Sequence, residues 1–299
     1  MTAVPASMRA IRLHAPGQLV DERVETPLPQ PGEALVRVHA AAITRDELEW
    51  PVDRLPAIPS YELSGVVAAT GQDARGLAVG DAVYALSDFG RDGAAAEYAV
   101  LTSELLAVKP RSVGHVESAA LPLAGLSAWQ GLYDHGRLVA GERVLIHGAA
   151  GGVGSFAVQL ARACGAEVIA TASTGGVETA RDLGAGEVVD NTTTRFEEAV
   201  APVDLVFDTA GGELLERSPA ILRKGGRLVS IAEEPPGEGT YFVVEPNREQ
   251  LVELARLVDG GEVRPLVDSV FPLAEAGAAF ERSMATGKRG KVVLRVVDD

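Results

Sequence analysis

Residues 144–163, VLIHGAAGGVGSFAVQLARA, constrain this chain more than any other stretch: a β-branched apolar run, a glycine-dense turn and a helix-compatible run follow one another without a break. The turn carries an A-x-G-x-x-G pattern at Ala149, Gly151 and Gly154, with Gly148 and Gly152 beside them. A lone glycine pattern is a weak signal, but between a strand and a helix it has a mechanism. Gly151 lets backbone approach a pyrophosphate, and Gly154 lets the helix pack close to the strand. The helix N-terminus supplies N–H donors and positive potential. Ala150 and Val153 complete the backbone that would line such a ligand. The plain alternative is a tight strand-to-helix turn that binds nothing.

The next strand, EVIATAST, tests which dinucleotide is expected. An NAD-preferring site places a carboxylate at its end, on the ribose 2′-hydroxyl. Ala172 stands there instead, followed by Ser173 and Thr174, whose hydroxyls can donate to a 2′-phosphate. NADPH is thus favoured over NADH, although the same two hydroxyls also suit a turn cap.

The surrounding chain agrees with a two-domain α/β protein. Its 299 residues exceed the usual single core. Residues 8–110 alternate apolar and polar in short segments (ALVRVHA, SGVVAAT, DAVYAL, EYAVL) broken by Pro and Gly, the texture of a β barrel or sandwich. From Val113 onward, apolar runs (RVLIHG, EVIATA, VDLVFDTA, GRLVSIA) alternate with helical stretches, which predicts a parallel sheet. NREQLVELARLVDGG reads as a helix, and the tail (RPLVDSVF, KVVLRVV) returns to strand character and is expected to rejoin the first domain.

The net charge of −15 argues against nucleic acid or an anionic membrane as partner. No uncharged run reaches the length of a membrane span. The single cysteine, Cys164, excludes an internal disulfide and a multi-thiolate zinc site, and points to a reducing cytoplasm.

Taken together, PGEALVRVHAAAIT, IPSYELSGVV, GDAVYAL, AALPLAGLSAWQGL, HGAAGGVGS, VFDTAGG and RGKVVLRV resemble the zinc-independent medium-chain dehydrogenase/reductases, of the quinone oxidoreductase and enone reductase group, over nearly the full length. The resemblance implies a GroES-like β-rich substrate domain (residues 1–115 and 266–299), split by a Rossmann NADPH-binding domain with a doubly wound parallel sheet (residues 116–265). It also implies a cleft between the two and a homodimer. Where zinc-dependent relatives place a Cys and a His on the catalytic metal, Thr44 and Tyr61 match, and the lobe that holds a structural zinc is absent. Two departures stand out. The Asn common at position 44 is missing, and Gly175 and Gly176 replace a Lys or Arg often found after the second strand. NADPH preference then rests on Ser173, Thr174, Arg181, Asn191 and Lys291. Thr209, Ala210 and Gly211 after Asp208 would border the nicotinamide ribose, Ile231 follows the next strand, and Phe242 and Val243 in FVVEP match a loop closing over the nicotinamide.

The implied chemistry is hydride transfer from NADPH to an activated C=C bond (enone, alkenal) or a quinone, with a hydrogen-bond donor aimed at the oxygen that gains charge. Tyr61 and Thr44 are the expected donors. A phenol of pKa ~10 polarises better than it protonates at neutral pH. Each has a structural alternative: Thr44 with Glu47 forms a capping box, and Tyr61 fills space left by the absent metal. Trp50, Leu126 and Ser127 are expected at the substrate, with pocket wall or core as their plainer role. His147, inside a strand, reads as structural. Carbonyl reduction, or a nucleotide-binding protein without turnover, remain the alternative functions.

Overall fold

The computed structural model describes residues 4–51 and 54–297, so the outermost residues of the expected domains lie outside it. Two compact units emerge: Met1–Leu123 with Pro246–Asp259 and Val267–Asp299, and Ala124–Glu245 with Gly260–Leu266.

The first unit is built from strands β1 (Ser7–Ala15), β2 (Gln18–Glu25), β3 (Glu33–Ile43), β4 (Glu62–Thr70), β5 (Ala82–Leu86), β6 (Tyr98–Thr102) and β7 (Ala107–Val108). β1 and β2 form an antiparallel hairpin, while β3 pairs antiparallel with both β4 and β6. The long strand β3 changes face along its length. Val36 and Val38 share a core with Leu63, Val83 and Leu101, but after a register shift between Val38 and Ala40 it is Ala41 that points into that core. A bulge that adds one residue flips the two-residue alternation, and here it aims the end of β3 at a new set of neighbours.

The second unit holds β8 (Arg143–His147), β9 (Glu167–Ala172), β10 (Glu187–Asp190), β11 (Val203–Asp208), β12 (Leu222–Ser230) and β13 (Thr240–Tyr241). They form one sheet in the order β10-β9-β8-β11-β12-β13, every pair parallel. Its strands carry Leu145, Ile169, Val206 and Leu228 into a core with Phe196 and Leu215, burial that parallel strands need because loops and helices cover them.

The tail strands β14 (Val267–Pro272) and β15 (Lys291–Arg295) complete the first unit: β15 runs antiparallel to β3, with Val292 opposite Ile43. The helix Arg248–Asp259 clusters with this unit too, whereas its sequence position suggested the second. Side-chain bonds explain the difference. Arg248 Nε donates to the Leu106 carbonyl at 2.7 Å, Ser112 donates its N–H to Asp259 at 2.9 Å, and the buried Tyr84 hydroxyl donates to the Leu251 carbonyl.

Candidate functional site

In the second unit the parallel strands end on one edge of the sheet, in register: His147 lies beside Asp208, Asp208 beside Ser230, and Asp190 beside Ala172. The turns that follow those ends hold most of the residues expected at a cofactor. Gly148 has φ +73°, and a Cβ there would meet Thr209 Oγ1 at 2.6 Å. Gly151 caps the helix Gly152–Ala163, and no side chain bonds to that cap. Among the described residues the first-turn N–H groups of Gly152, Val153 and Gly154 are therefore left without an intrahelical or capping side-chain acceptor. A Cβ on Gly154 would run into the Gly148 carbonyl oxygen, so this position admits no side chain. Ala149 is buried, its N–H bonded to the Thr171 carbonyl at 3.1 Å, and Ala150 is buried beside it.

The turn after β9 is shaped by a glycine too. A Cβ on Gly176 would stand 2.8 Å from that of Ala150, so the missing basic residue has a steric counterpart: this turn packs against the glycine turn. Ser173 and Thr174 are exposed. The side chain of Thr174 is not alone, however. Its Oγ1 lies 2.8 Å from that of Thr192, which donates to Asp190 Oδ1 at 2.6 Å. These hydroxyls, Thr192 first, hold the Asp190 carboxyl below its ordinary range, so it is charged at neutral pH. A carboxylate absent at the end of β9 is thus supplied from β10. Its signal lay in GEVVDNT, whose four-residue strand is too short to be legible by periodicity. Asn191 sits next to it with its backbone N–H on Ala172 O at 3.0 Å, and among the described residues its buried Oδ1 has no hydrogen-bond partner.

Beyond β11 the loop is fixed by Asp208. Its carboxylate accepts from the Ser230 hydroxyl at 2.9 Å and from the Gly211 N–H at 3.0 Å, and burial raises its pKa. Thr209 donates to the His147 carbonyl at 2.7 Å, Ala210 is exposed, and Ile231 bonds its N–H to Asp208 O at 3.2 Å. Phe242 is buried and stacks on His135 with ring centroids 4.4 Å apart, whereas Val243 is 62% exposed. Gln130 holds this loop by pairing both ends of its amide with the backbone of Glu245, at 2.8 and 3.0 Å. That clamp is invisible in sequence because 115 residues separate its halves. Leu126 and Ser127 are buried. His147 is structural: Ser218 donates to Leu214 O, so it accepts from Nε2–H, and Thr171 donates to Nδ1. Burial pushes its pKa down to about 3.

Thr44, Trp50, Tyr61 and Lys291 belong to the first unit. Tyr61 packs between Trp50 and Phe89, with centroids 6.0 and 5.3 Å away, and its pKa is raised by burial and by the charge of Glu47. Among the described residues its hydroxyl makes no hydrogen bond, and Phe89 is a wall the motif did not reveal. Only half of the expected capping box forms: Glu47 Oε2 accepts the Thr44 N–H at 2.8 Å, but the short helix Glu47–Glu49 has no side-chain cap. The other oxygen of Glu47 accepts the Ser60 N–H at 2.8 Å. Thr44 Oγ1 instead accepts from Lys291 Nζ at 3.2 Å, and Lys291 lies 2.5 Å from Glu62 Oε1. Lys291, expected at the cofactor, therefore has its ammonium engaged by two neighbours of its own unit.

The open helix turn, the side-chain-free approach at Gly151 and Gly154 and the orphaned Asn191 oxygen fit a dinucleotide. A catalytic zinc does not fit. Thr44 and Tyr61 offer neutral hydroxyls, and of the two adjacent carboxyl groups Glu62 is already beside an ammonium while both oxygens of Glu47 accept backbone N–H groups. Among the described residues no group of three His, Cys, Asp or Glu could hold a metal.

Comparison with known proteins gives two family matches. The alcohol dehydrogenase GroES-like domain family matches residues 30–111, and the zinc-binding dehydrogenase family matches residues 183–294. The 2-methylene-furan-3-one reductase of Solanum lycopersicum is 32% identical over 96% of this chain and 79% of its own. The chloroplastic NADPH-dependent alkenal/one oxidoreductase of Arabidopsis thaliana is 32% identical over 92% of this chain and 75% of its own. The solved quinone oxidoreductase of Coxiella burnetii superposes with a TM-score of 0.91 at 30% identity, covering 97% of this chain and 100% of that one.

Proposed function

The chain belongs to the medium-chain dehydrogenase/reductase family, and from that premise we propose that it is an NADPH-dependent reductase of activated C=C bonds in enones and alkenals, or of quinones, acting without zinc. The observation that carries the reading is the pair of hydroxyls, Thr44 and Tyr61, where zinc-bearing relatives have metal ligands. Such donors suit an acceptor that needs its oxygen polarised while hydride arrives at carbon. NADPH, when bound, supplies the hydride. The chain's part is to bind and orient. Gly152, Val153 and Gly154 present backbone N–H groups to the pyrophosphate, Gly151 lets it approach, and Ser173 donates to the 2′-phosphate beside Thr174, whose own proton goes to Thr192. Thr209, Ala210, Ile231, Phe242 and Val243 flank the nicotinamide end. Tyr61 and Thr44 polarise the substrate oxygen beside Trp50, and solvent completes protonation.

Asp190 tempers the cofactor preference, because its charge beside Thr174 opposes a 2′-phosphate. A modest preference for NADPH is therefore expected. The likeness to named enone and quinone reductases supports the substrate class, and a cytoplasmic homodimer is the form we propose.

The test is NADPH oxidation across a panel of quinones, enones and alkenals, with product analysis. Saturation of an enone with its C=O retained supports the reading. An allylic alcohol would indicate carbonyl reduction, and tight NADPH binding without turnover on any panel member would indicate a non-catalytic nucleotide-binding protein.

A further inference from the structure

Three strands bring together three polar residues that are distant in sequence. Val292 pairs with Ile43, so Lys291 at the start of β15 stands across from Thr44 at the end of β3, and Glu62 at the start of β4 pairs with Ala42. Lys291 is only 4% exposed, Glu62 is fully buried and Thr44 is half-buried. An ammonium can only donate, so in the 3.2 Å contact between Lys291 Nζ and Thr44 Oγ1 the hydroxyl is the acceptor. The hydroxyl proton of Thr44 must then point elsewhere, and among the described residues it has no acceptor. Glu62 keeps the ammonium in place. One of its oxygens lies 2.5 Å from Nζ, and the other accepts the Leu123 N–H at 2.9 Å. Glu47 fixes the Thr44 backbone from the other side.

We propose that Lys291 is a positioning residue: its ammonium, held by Glu62, makes the Thr44 hydroxyl an outward donor to the substrate oxygen that gains negative charge. This assignment rests on the reading above, in which Thr44 meets that oxygen. A charge-assisted donor is stronger than a neutral one, and burial leaves the field of Lys291 weakly screened. The cation reaches the substrate through a hydroxyl rather than through a metal. Its cost is an ion pair that must stay intact for Thr44 to be oriented.

The direct probe is 4-nitrophenol, whose oxygen develops the same charge and whose ionisation is read from its absorbance. In the wild-type protein with oxidised NADP bound, bound nitrophenol should ionise about one pH unit or more below its value in K291M, with K291R recovering most of the shift. T44V should abolish the shift, and T44S should keep it. With an enone or quinone, K291M should lower kcat about tenfold or more while KM changes little. Equal ionisation in wild type and K291M, no binding of nitrophenol, or a shift that T44V retains overturns the proposal. If K291M does not fold, the contrast between T44V and T44S decides by the same criterion. A shift that depends on Lys291 and Thr44 in a protein that reduces no panel member would support this assignment while sinking the reductase reading.

Discussion

The two sites are built from opposite materials. At the strand ends of the second unit the work is done by backbone, and the side chains that matter are the ones left out, at Gly151, Gly154 and Gly176. At the end of β3 in the first unit the work is done by buried ionisable groups, Glu47, Glu62 and Lys291, around one hydroxyl. A backbone site tolerates changes of charge nearby but not one added carbon. An ionic site tolerates changes of shape but not one missing partner. The first kind can be written as a short motif, whereas the second exists only after folding.

The sharpest way to break this contrast is to strand one charge. Glu62→Ala should cost about 3–5 kcal/mol in urea unfolding, because Lys291 would be left buried and unpaired. The double variant E62M/K291M should recover much of that loss. A cost below 1 kcal/mol for E62A would mean the pair is not buried in solution.

Glu47 gives the next largest effect, and its sign is opposite to that of most carboxyls. Burial raises its pKa from 4.5 to about 7, against the opposing bonds from Thr44 and Ser60 and the charge of Lys291. The folded protein therefore holds this proton where the unfolded chain has released it. The stabilisation is present below pH ~4.5 and is lost as pH rises through about 7, by about 3 kcal/mol at roughly 1.4 kcal/mol per unit. The Tm of the wild type should fall between pH 5 and 8 relative to E47Q. Parallel curves would show that Glu47 is ionised throughout.

On the backbone side, Gly154→Ala should destabilise by about 1–3 kcal/mol and weaken NADPH binding, since its Cβ meets the Gly148 carbonyl. Fluorescence titration alongside thermal unfolding separates the two effects, and unchanged affinity would show that the turn shifts without consequence. The smallest effect expected is at Asp190. D190N should raise the preference for NADPH over NADH by about two- to fivefold, the scale of an exposed charge. No change, or a fall, would mean that this carboxylate does not face the 2′ position.

Much of this was legible in the sequence for physical reasons. The glycine turn could be placed because a strand, a close backbone approach and a helix leave a local signature. The strands β3, β4, β5, β6, β8, β9, β11 and β12 each carry enough apolar residues to be read, while β10 and β13, with four and two residues, do not. Thr44 and Tyr61 were visible as positions, but not their company: Phe89 beside Tyr61, and Lys291 on Thr44.

What the amino-acid order settled alone is local: a turn that only glycine permits, and runs that must bury one or both faces. Tertiary structure decided which distant groups share a site. Strand register set Lys291 opposite Thr44 and Glu62, and put Asp190 beside Ala172 to bring back a carboxylate that β9 lacks. Local signals arise from steric and hydrophobic demands within a few residues. Charge pairing between strands hundreds of residues apart depends on a register that no stretch of sequence contains.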